Sequence, residues 1–314
     1  MLQLINKTPF VATMYVLPND KGIDTAYAVL KVTYTLSPQP VVAEKQSTLV
    51  MAEEYLAAPN ASSIKKASDF GLTKPATDVL LQGFAYAPGG RRVGYTDVTL
   101  AVGNLIRKTV RVFGDRTWQR NAMGWSPSAP TPLEAMPLIW ERAAGGPEDV
   151  HNPVGCTARQ PPNMEDPSES VSGPNARVMP AGFGPIAAHW EPRRSCAGTF
   201  DDHWRKNRAP YLPLDFNPSF FQAAPRDQTI RGYLHGGEPV GLRGCTPDGQ
   251  LTFYLPHQRV QFAFRMDSGW SVREASLDTV VIDTAAMLLK MTWRAMQECD
   301  KKALKIREVE VTVS

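Results

Sequence analysis

Four cysteines and five histidines are the side chains in this 314-residue chain best suited to act as nucleophile, general base or soft metal ligand. His151 and Cys156 lie five apart in the loop His151-Asn152-Pro153-Val154-Gly155-Cys156, and Cys196, Asp201 and His203 follow close together. A cysteine nucleophile needs a histidine to take its proton and an orienting group behind the base, so a cysteine-dependent hydrolase using Cys156 or Cys196 with His151 or His203 is one reading. No known local signature surrounds either cysteine, and small half-buried packing residues account for both. Cys156, His189, Cys196 and His203 could be assembled into a metal site. Structural zinc sites, however, show close ligand pairs at short spacing, and the intervals here are long and irregular. The Gly182-Phe183-Gly184-Pro185 segment has neither the length of a phosphate loop nor a helix after it, and Gly124-Trp125-Ser126-Pro127-Ser128 is not a serine elbow.

With these chemistries weak, binding comes forward. Seventeen of the 27 prolines and four of the seven tryptophans fall between Gly124 and Pro225, where Gly and Pro stand beside Trp, His, Asn, Asp and Arg. Flexible linkers have no reason to hold aromatics. The composition reads as a long ordered loop region packed on a scaffold, and Trp, Tyr, Phe and Arg on rigid loops are the residue types of protein-binding hot spots. Trp140, Glu141, Asn152, Arg194, Asp201 and Trp204 are the candidate partner-binding residues. The tryptophans would fill partner pockets, Arg194 would pair with Asp201 or with an acidic group of the partner, and Asn152 would order its own loop. The bland alternative is that the aromatics only fix the loops to the scaffold.

The scaffold itself reads as mainly β. Val11, Thr13, Tyr15 and Leu17 alternate with Ala12, Met14 and Val16, then Pro18-Asn19-Asp20-Lys21-Gly22 turns the chain into the β-rich Tyr27–Leu36 run, which predicts a hairpin. Val79–Ala87, Arg92–Val102 and Lys108–Phe113 continue the pattern, so the first 123 residues predict an antiparallel sheet region. Residues 124–225 form the ordered loop block, with one strand between Pro132 and Arg142. Strands resume at Gln228–His235, Val240–Leu242, Leu251–Leu255, Val260–Met266, near Trp270 and at Leu277–Asp283. Ala285–Met296 alternates like a strand although its composition favours a helix, and we assign a strand. Lys305–Val313 predicts an edge strand with charges on one face. The expected architecture is one β-rich domain, with antiparallel sheets packed as a β-sandwich or split barrel under the loop block.

Net charge is +3, from 34 basic and 31 acidic residues. That balance argues against nucleic acid and anionic membranes as partners. No secretory signal and no membrane-spanning run is visible, and the cysteines lack paired spacing, so the expected location is the cytoplasm with free thiols.

Several blocks carry a family resemblance. Asp69-Phe70-Gly71-Leu72-Thr73-Lys74-Pro75-Ala76-Thr77-Asp78-Val79 resembles a D-x-x-x-x-K-P-x-x-D-V segment found in a family of domains of unknown function associated with bacterial type VI secretion. Gly114-Asp115-Arg116-Thr117-Trp118, Trp140-Glu141, Asn152-Pro153-Val154-Gly155, Trp190-Glu191-Pro192-Arg193, Gly198-Thr199-Phe200-Asp201-Asp202-His203-Trp204, Pro213-Leu214-Asp215-Phe216 and Thr292-Trp293-Arg294 are similar to it as well. The resemblance implies a non-enzymatic adaptor or chaperone without a cofactor. Its partner would be a PAAR-type spike tip or a PAAR-containing effector, held in the cytosol and loaded onto the trimeric spike protein. An unsaturated sheet edge, with Lys305–Val313 as the candidate, would add a strand from that partner. A structural component of the secretion apparatus is the remaining alternative.

Overall fold

The computed structural model describes residues 3–36, 39–299 and 306–314. Three large sheets carry the chain. The six-stranded sheet runs in the order Val11–Pro18, Asp24–Leu36, Leu288–Glu298, Ser276–Asp283 and Asp78–Gln82, with Pro40–Val42 added beside Asp24–Leu36. The five-stranded sheet runs Met164–Glu165, Ile106–Phe113, Tyr95–Val102, Pro239–Arg243 and Gln250–Tyr254, and the four-stranded sheet runs Gln3–Asn6, Glu308–Val313, Val260–Met266 and Gly269–Glu274. The fold is mainly β and sandwich-like, as the alternation predicted, with no closed barrel among the described sheets.

Two expectations change. Strands from both ends of the chain interleave in every large sheet instead of forming separate N- and C-terminal sheet regions. The pairing is also not purely antiparallel, because Gln3–Asn6 runs parallel to Glu308–Val313 and Asp78–Gln82 runs parallel to Ser276–Asp283. Glu308–Val313 is therefore an interior strand, flanked by Gln3–Asn6 and Val260–Met266, and not the predicted edge. Lys305 lies outside the described residues. Its acidic alternate residues find partners across the sheet, Glu310 with Lys7 at 2.6 Å and Glu308 with Arg265 at 3.4 Å, so charge on one face did not mark an edge. Gln228–His235 makes only isolated bridges, because the Gln228 side chain is drawn inside to donate to the Val79 and Phe183 carbonyls and Gly232 turns the backbone at φ 81°. Leu288–Glu298 is a strand, as alternation and not composition indicated.

Alternation explains the core. On Asp24–Leu36 the even residues Ala26, Ala28, Leu30, Val32, Tyr34 and Leu36 enter one hydrophobic cluster, joined by Leu289, Met291 and Trp293 from the neighbouring strand and by Phe262, Phe264, Val309 and Val311 from the four-stranded sheet. Side chains of a strand alternate between faces, so Lys31, Thr292, Arg294 and Asp278 fall outside that cluster, on the opposite face. That face is buried too. Lys31, Asp69, Lys74, Asp78, Asp278 and Arg294 are each less than a tenth exposed, and they form three positive and three negative charges. Lys31 meets Asp69 at 2.6 Å, Lys74 meets Asp78 at 2.8 Å, and Arg294 Nε meets Asp278 at 2.7 Å. Arg294 also donates to the Tyr15 hydroxyl, to the Gly71 carbonyl and to the Asp69 carbonyl. Asp69 in turn accepts from the Val50 amide at 2.7 Å. The connection between Pro40–Val42 and Asp78–Gln82 is thereby fixed across the sheet by ions as well as by apolar contacts, Ile64 in the core cluster and Phe70 on Tyr15 among them.

Burial would raise the Asp278 pKa, but Arg294 and Lys74, with hydrogen bonds from Arg294 and Thr279, outweigh it and hold the carboxyl below the usual carboxylate range. A carboxylate with a depressed folded-state pKa contributes stability that is present above its unfolded pKa of about 3.9 and lost as pH falls through the folded value. Asp278→Asn leaves Arg294 buried without its counter-charge, and is expected to cost about 3–5 kcal/mol at neutral pH. Urea melts between neutral and acid pH should show that gap narrowing below about pH 4, as wild-type Asp278 itself takes up a proton. A gap independent of pH would show that the ion pair is not the source.

Candidate functional site

The six candidate residues divide into three that tie the loop block together, Trp140, Glu141 and Asn152, and three that belong to an exposed segment, Arg194, Asp201 and Trp204. Trp140 is buried at the start of a single 3-10 turn, Trp140–Arg142. Its indole Nε1 donates to the Pro185 carbonyl at 2.9 Å, and its ring lies so close to Gly182 that a Cβ there would meet ring carbon Cζ3 at 2.8 Å. Asn152 is wholly buried and donates from Nδ2 to the Trp140 and Ala144 carbonyls, both at 2.8 Å. Its own carbonyl accepts from the Gly146 and Gly155 amides. Glu141 accepts from the Ser63 amide at 2.7 Å and the Ser63 hydroxyl at 2.8 Å. These three hold the loop block together and to the covering segment. Trp140 and Asn152 are buried and offer no surface to a partner, which corrects the sequence reading of their role, and the carboxylate of the partly buried Glu141 is engaged by Ser63. Gly/Pro beside Trp and Asn reads equally well as internal glue, and here it is glue.

The arginine pair splits likewise. Arg193 is buried, meets Glu53 at 2.6 Å and donates to the Ile186 and Phe220 carbonyls. Arg194, one residue on in the 3-10 turn Arg194–Cys196, is exposed and makes no side-chain hydrogen bond or ion pair among the described residues. Asp201 does not pair with it. Asp201 instead caps the short helix Asp202–Asn207 by accepting from the Trp204 amide at 2.7 Å.

Arg194, Asp201 and Trp204 belong to an exposed segment whose backbone is tied down at many points. Gly198 takes φ 79°, and a Cβ there would meet Asp215 Oδ1 and Pro213 Cβ at 2.9 Å, so only glycine fits. Asp215 accepts from the Thr199 amide at 3.0 Å and from its hydroxyl at 2.7 Å, and these bonds hold its carboxyl below the usual range. Trp204 Nε1 donates to the Tyr211 carbonyl at 2.8 Å, and the Phe200 ring meets the Trp204 ring edge-on at 4.8 Å. Arg208 donates to the Leu212 carbonyl and to the Asp20 carbonyl of the first hairpin turn. Tyr211 packs on Gly22 of that turn. On this frame Phe200 is 53 % exposed and Leu214 is 82 % exposed. Sequence reasoning did not choose Phe200 or Leu214 as site residues. The available signal was an apolar side chain held between Pro213 and Asp215, or between Thr199 and Asp201, with no alternation to bury it.

Among the described residues neither Cys156 nor Cys196 is hydrogen-bonded to a histidine. Cys156 Sγ points to the Ala143 carbonyl at 3.7 Å and Cys196 Sγ to the Pro192 carbonyl at 3.6 Å, while His151 sits beside Asp149 and His203 is exposed on the helix. Burial raises the Cys156 thiol pKa, the reverse of what an activated nucleophile requires. No cluster of three or more His, Cys, Asp or Glu suited to a metal ion occurs among the described residues.

Two outcomes follow from this division of roles. Asn152→Ala strands the buried Ala144 carbonyl, while the Trp140 carbonyl keeps the Ala143 amide, and is expected to cost about 1–3 kcal/mol of stability in a denaturant melt for that one orphaned group. A loss under 1 kcal/mol on the same scale would remove Asn152 from the frame. Alkylation followed against pH should show Cys156 reacting more slowly than an unstructured cysteine, and faster reaction would restore the nucleophile reading.

No curated protein and no solved structure matches the chain. A family model does, across residues 21–294, which takes in the covering segment, the buried ion network and the exposed 198–216 segment. The chain belongs to the family it describes, an uncharacterized protein family conserved in bacteria, DUF2169.

Proposed function

We propose that this protein is a cytoplasmic adaptor of type VI secretion. It would hold a PAAR-type tip, or an effector carrying one, and deliver it to the trimeric spike through the surface around Phe200, Trp204 and Leu214. The observation that carries the reading is that exposed apolar side chains stand on a locked frame: Phe200 and Leu214 project from a segment in which Gly198, Asp201, Trp204, Arg208 and Asp215 each serve to fix the backbone. A preorganised surface loses little conformational entropy on docking, and aromatic anchors on such a surface dominate binding energy. The exposed Arg194, Asp201, Asp202, Arg205 and Lys206 give the same segment charges of both signs, with Arg205 paired to Asp202 at 2.9 Å. This mixture favours one orientation of a partner. The secretion assignment rests on the motif resemblance, and the docking assignment on this geometry. No helix among the described residues is long and apolar enough to cross a membrane.

Co-expression with the PAAR protein, effector and spike protein encoded in the same gene cluster, followed by size-exclusion chromatography, tests the reading. The wild type should co-elute with one of them. A Phe200→Ala, Leu214→Ala double variant should bind at least about thirtyfold more weakly, corresponding to a loss of about 2 kcal/mol, with an unchanged thermal melt. Trp204→Ala should lower both affinity and melting temperature, because its indole also closes the frame. Failure of the wild type to co-elute with any of the three would overturn the proposal.

A further inference from the structure

The free edge of the four-stranded sheet is Gly269–Glu274, the last strand in its order. It pairs with Val260–Met266 over six residues without a register shift, and its other side makes no backbone hydrogen bond among the described residues. Natural edge strands are blunted by proline, lysine, bulges or shortness. Three other sheet margins are blunted or covered: Gln3–Asn6 is four residues long, Val11–Pro18 ends in proline and has Tyr15 covered by Phe70 at 4.9 Å between ring centroids, and Asp78–Gln82 is buried; the margin Gln250–Tyr254 has neither proline nor lysine but carries one exposed large apolar side chain, Tyr254. Gly269–Glu274 has no proline, no lysine and no bulge.

Its side chains point the same way. Trp270 is 50 % exposed and Val272 is 58 % exposed, and being two apart they share one face. Among the edges of the three large sheets no other described strand shows two exposed large apolar side chains on one face. The two charged residues of the strand are held within the chain. Arg273 Nε donates to Gln297 at 3.0 Å, and Glu274 meets Arg259 at 3.3 Å. Arg265 lies over the Trp270 ring at 5.8 Å from the neighbouring strand and fixes the indole's position.

We propose that two copies of this chain associate along Gly269–Glu274, antiparallel about a two-fold axis at Ser271, so that the two four-stranded sheets become one continuous sheet. A two-fold axis normal to the sheet keeps each face on its own side, so residues directly opposite must come from the same face. Placed at Ser271, the axis sets Trp270 of each copy against Val272 of the other, twice, and sets Arg273 against Gly269. The exposed apolar side chains of one strand cover those of its copy, and no residue meets a like charge. An edge of unpaired amides and carbonyls is complementary to another strand's edge, and this strand's own sequence supplies the matching side chains. The surface lies apart in sequence from the 198–216 segment, and the inference does not depend on the adaptor reading.

Sedimentation velocity of the full chain across a concentration series tests it. The wild type should sediment as a dimer, Val272→Lys should weaken association at least tenfold with an unchanged thermal melt, and Tyr254→Lys on the edge of the five-stranded sheet should leave the dimer intact. Amide exchange at residues 269–274 should slow as wild-type concentration rises, a readout that stands if Val272→Lys fails to fold. A monomeric wild type at every concentration, a Val272→Lys variant that still dimerises, loss of the dimer in Tyr254→Lys, or exchange at 269–274 independent of concentration would each overturn the proposal. A dimer that binds no partner would count against the adaptor alone.

Discussion

Six charges buried on one face of the six-stranded sheet hold the rest of the molecule in place. Lys31, Thr292, Arg294 and Asp278 occupy the alternate positions of strands whose other face is the hydrophobic core. An exposed sheet face could carry them at no cost. Here the segment around Asp69 lies over them, so each charge has lost its water and is compensated by an opposite charge and by hydrogen bonds. Removing a partner from such a pair is far more costly than never having had the pair. The cover therefore has one well-defined seat, and Asp78 extends the same network to the loop block by accepting from the Ala223 amide at 2.8 Å.

Outward from that seat the constraint is relayed by single residues. Glu53 of the covering segment binds Arg193, and Ser63 binds Glu141, so the cover grips the loop block at two separate points. Asn152, Trp140 and Gly182 knit the block internally. Arg193 passes the connection on to the Phe220 carbonyl, and the Asn217 amide donates to the Cys196 carbonyl, closing the base of the exposed segment. Its far side rests on the first hairpin turn through Arg208 and Tyr211. Many exposed carbonyls and rings in residues 198–216 thus trace back to the sheet in a few steps, which is why a proline-rich loop can present Phe200 and Leu214 in fixed positions.

Much of the scaffold was legible in the sequence because period-two alternation survives wherever one face enters the core: Val260–Met266 and Leu288–Glu298 are strands as read. Pairing partners were not legible. The parallel contact of Gln3–Asn6 with Glu308–Val313 joins the two ends of the chain, and nothing local encodes it, so an interior strand looked like an edge. The buried network was visible only as misplaced charge, Lys31 and Arg294 standing inside apolar runs, and as the D-x-x-x-x-K-P-x-x-D-V resemblance, whose Asp69, Lys74 and Asp78 all prove to be buried. In the loop block, residue type gave order but not direction. Trp140 and Trp204 look alike in sequence, yet one is core and the other only partly buried, and Arg193 and Arg194 differ in role across one step of the chain, the first buried and paired and the second exposed.

Residues 198–216 are the proposed docking surface. Hydrogen exchange measured by mass spectrometry, on the protein alone and saturated with a PAAR-type protein or effector that co-elutes with it, reads that contact directly. New protection is expected in peptides spanning Gly198–Phe216, with the buried strands Asp24–Leu36 and Leu288–Glu298 unchanged. Protection confined to other surfaces, with 198–216 exchanging as in the free protein, would contradict it.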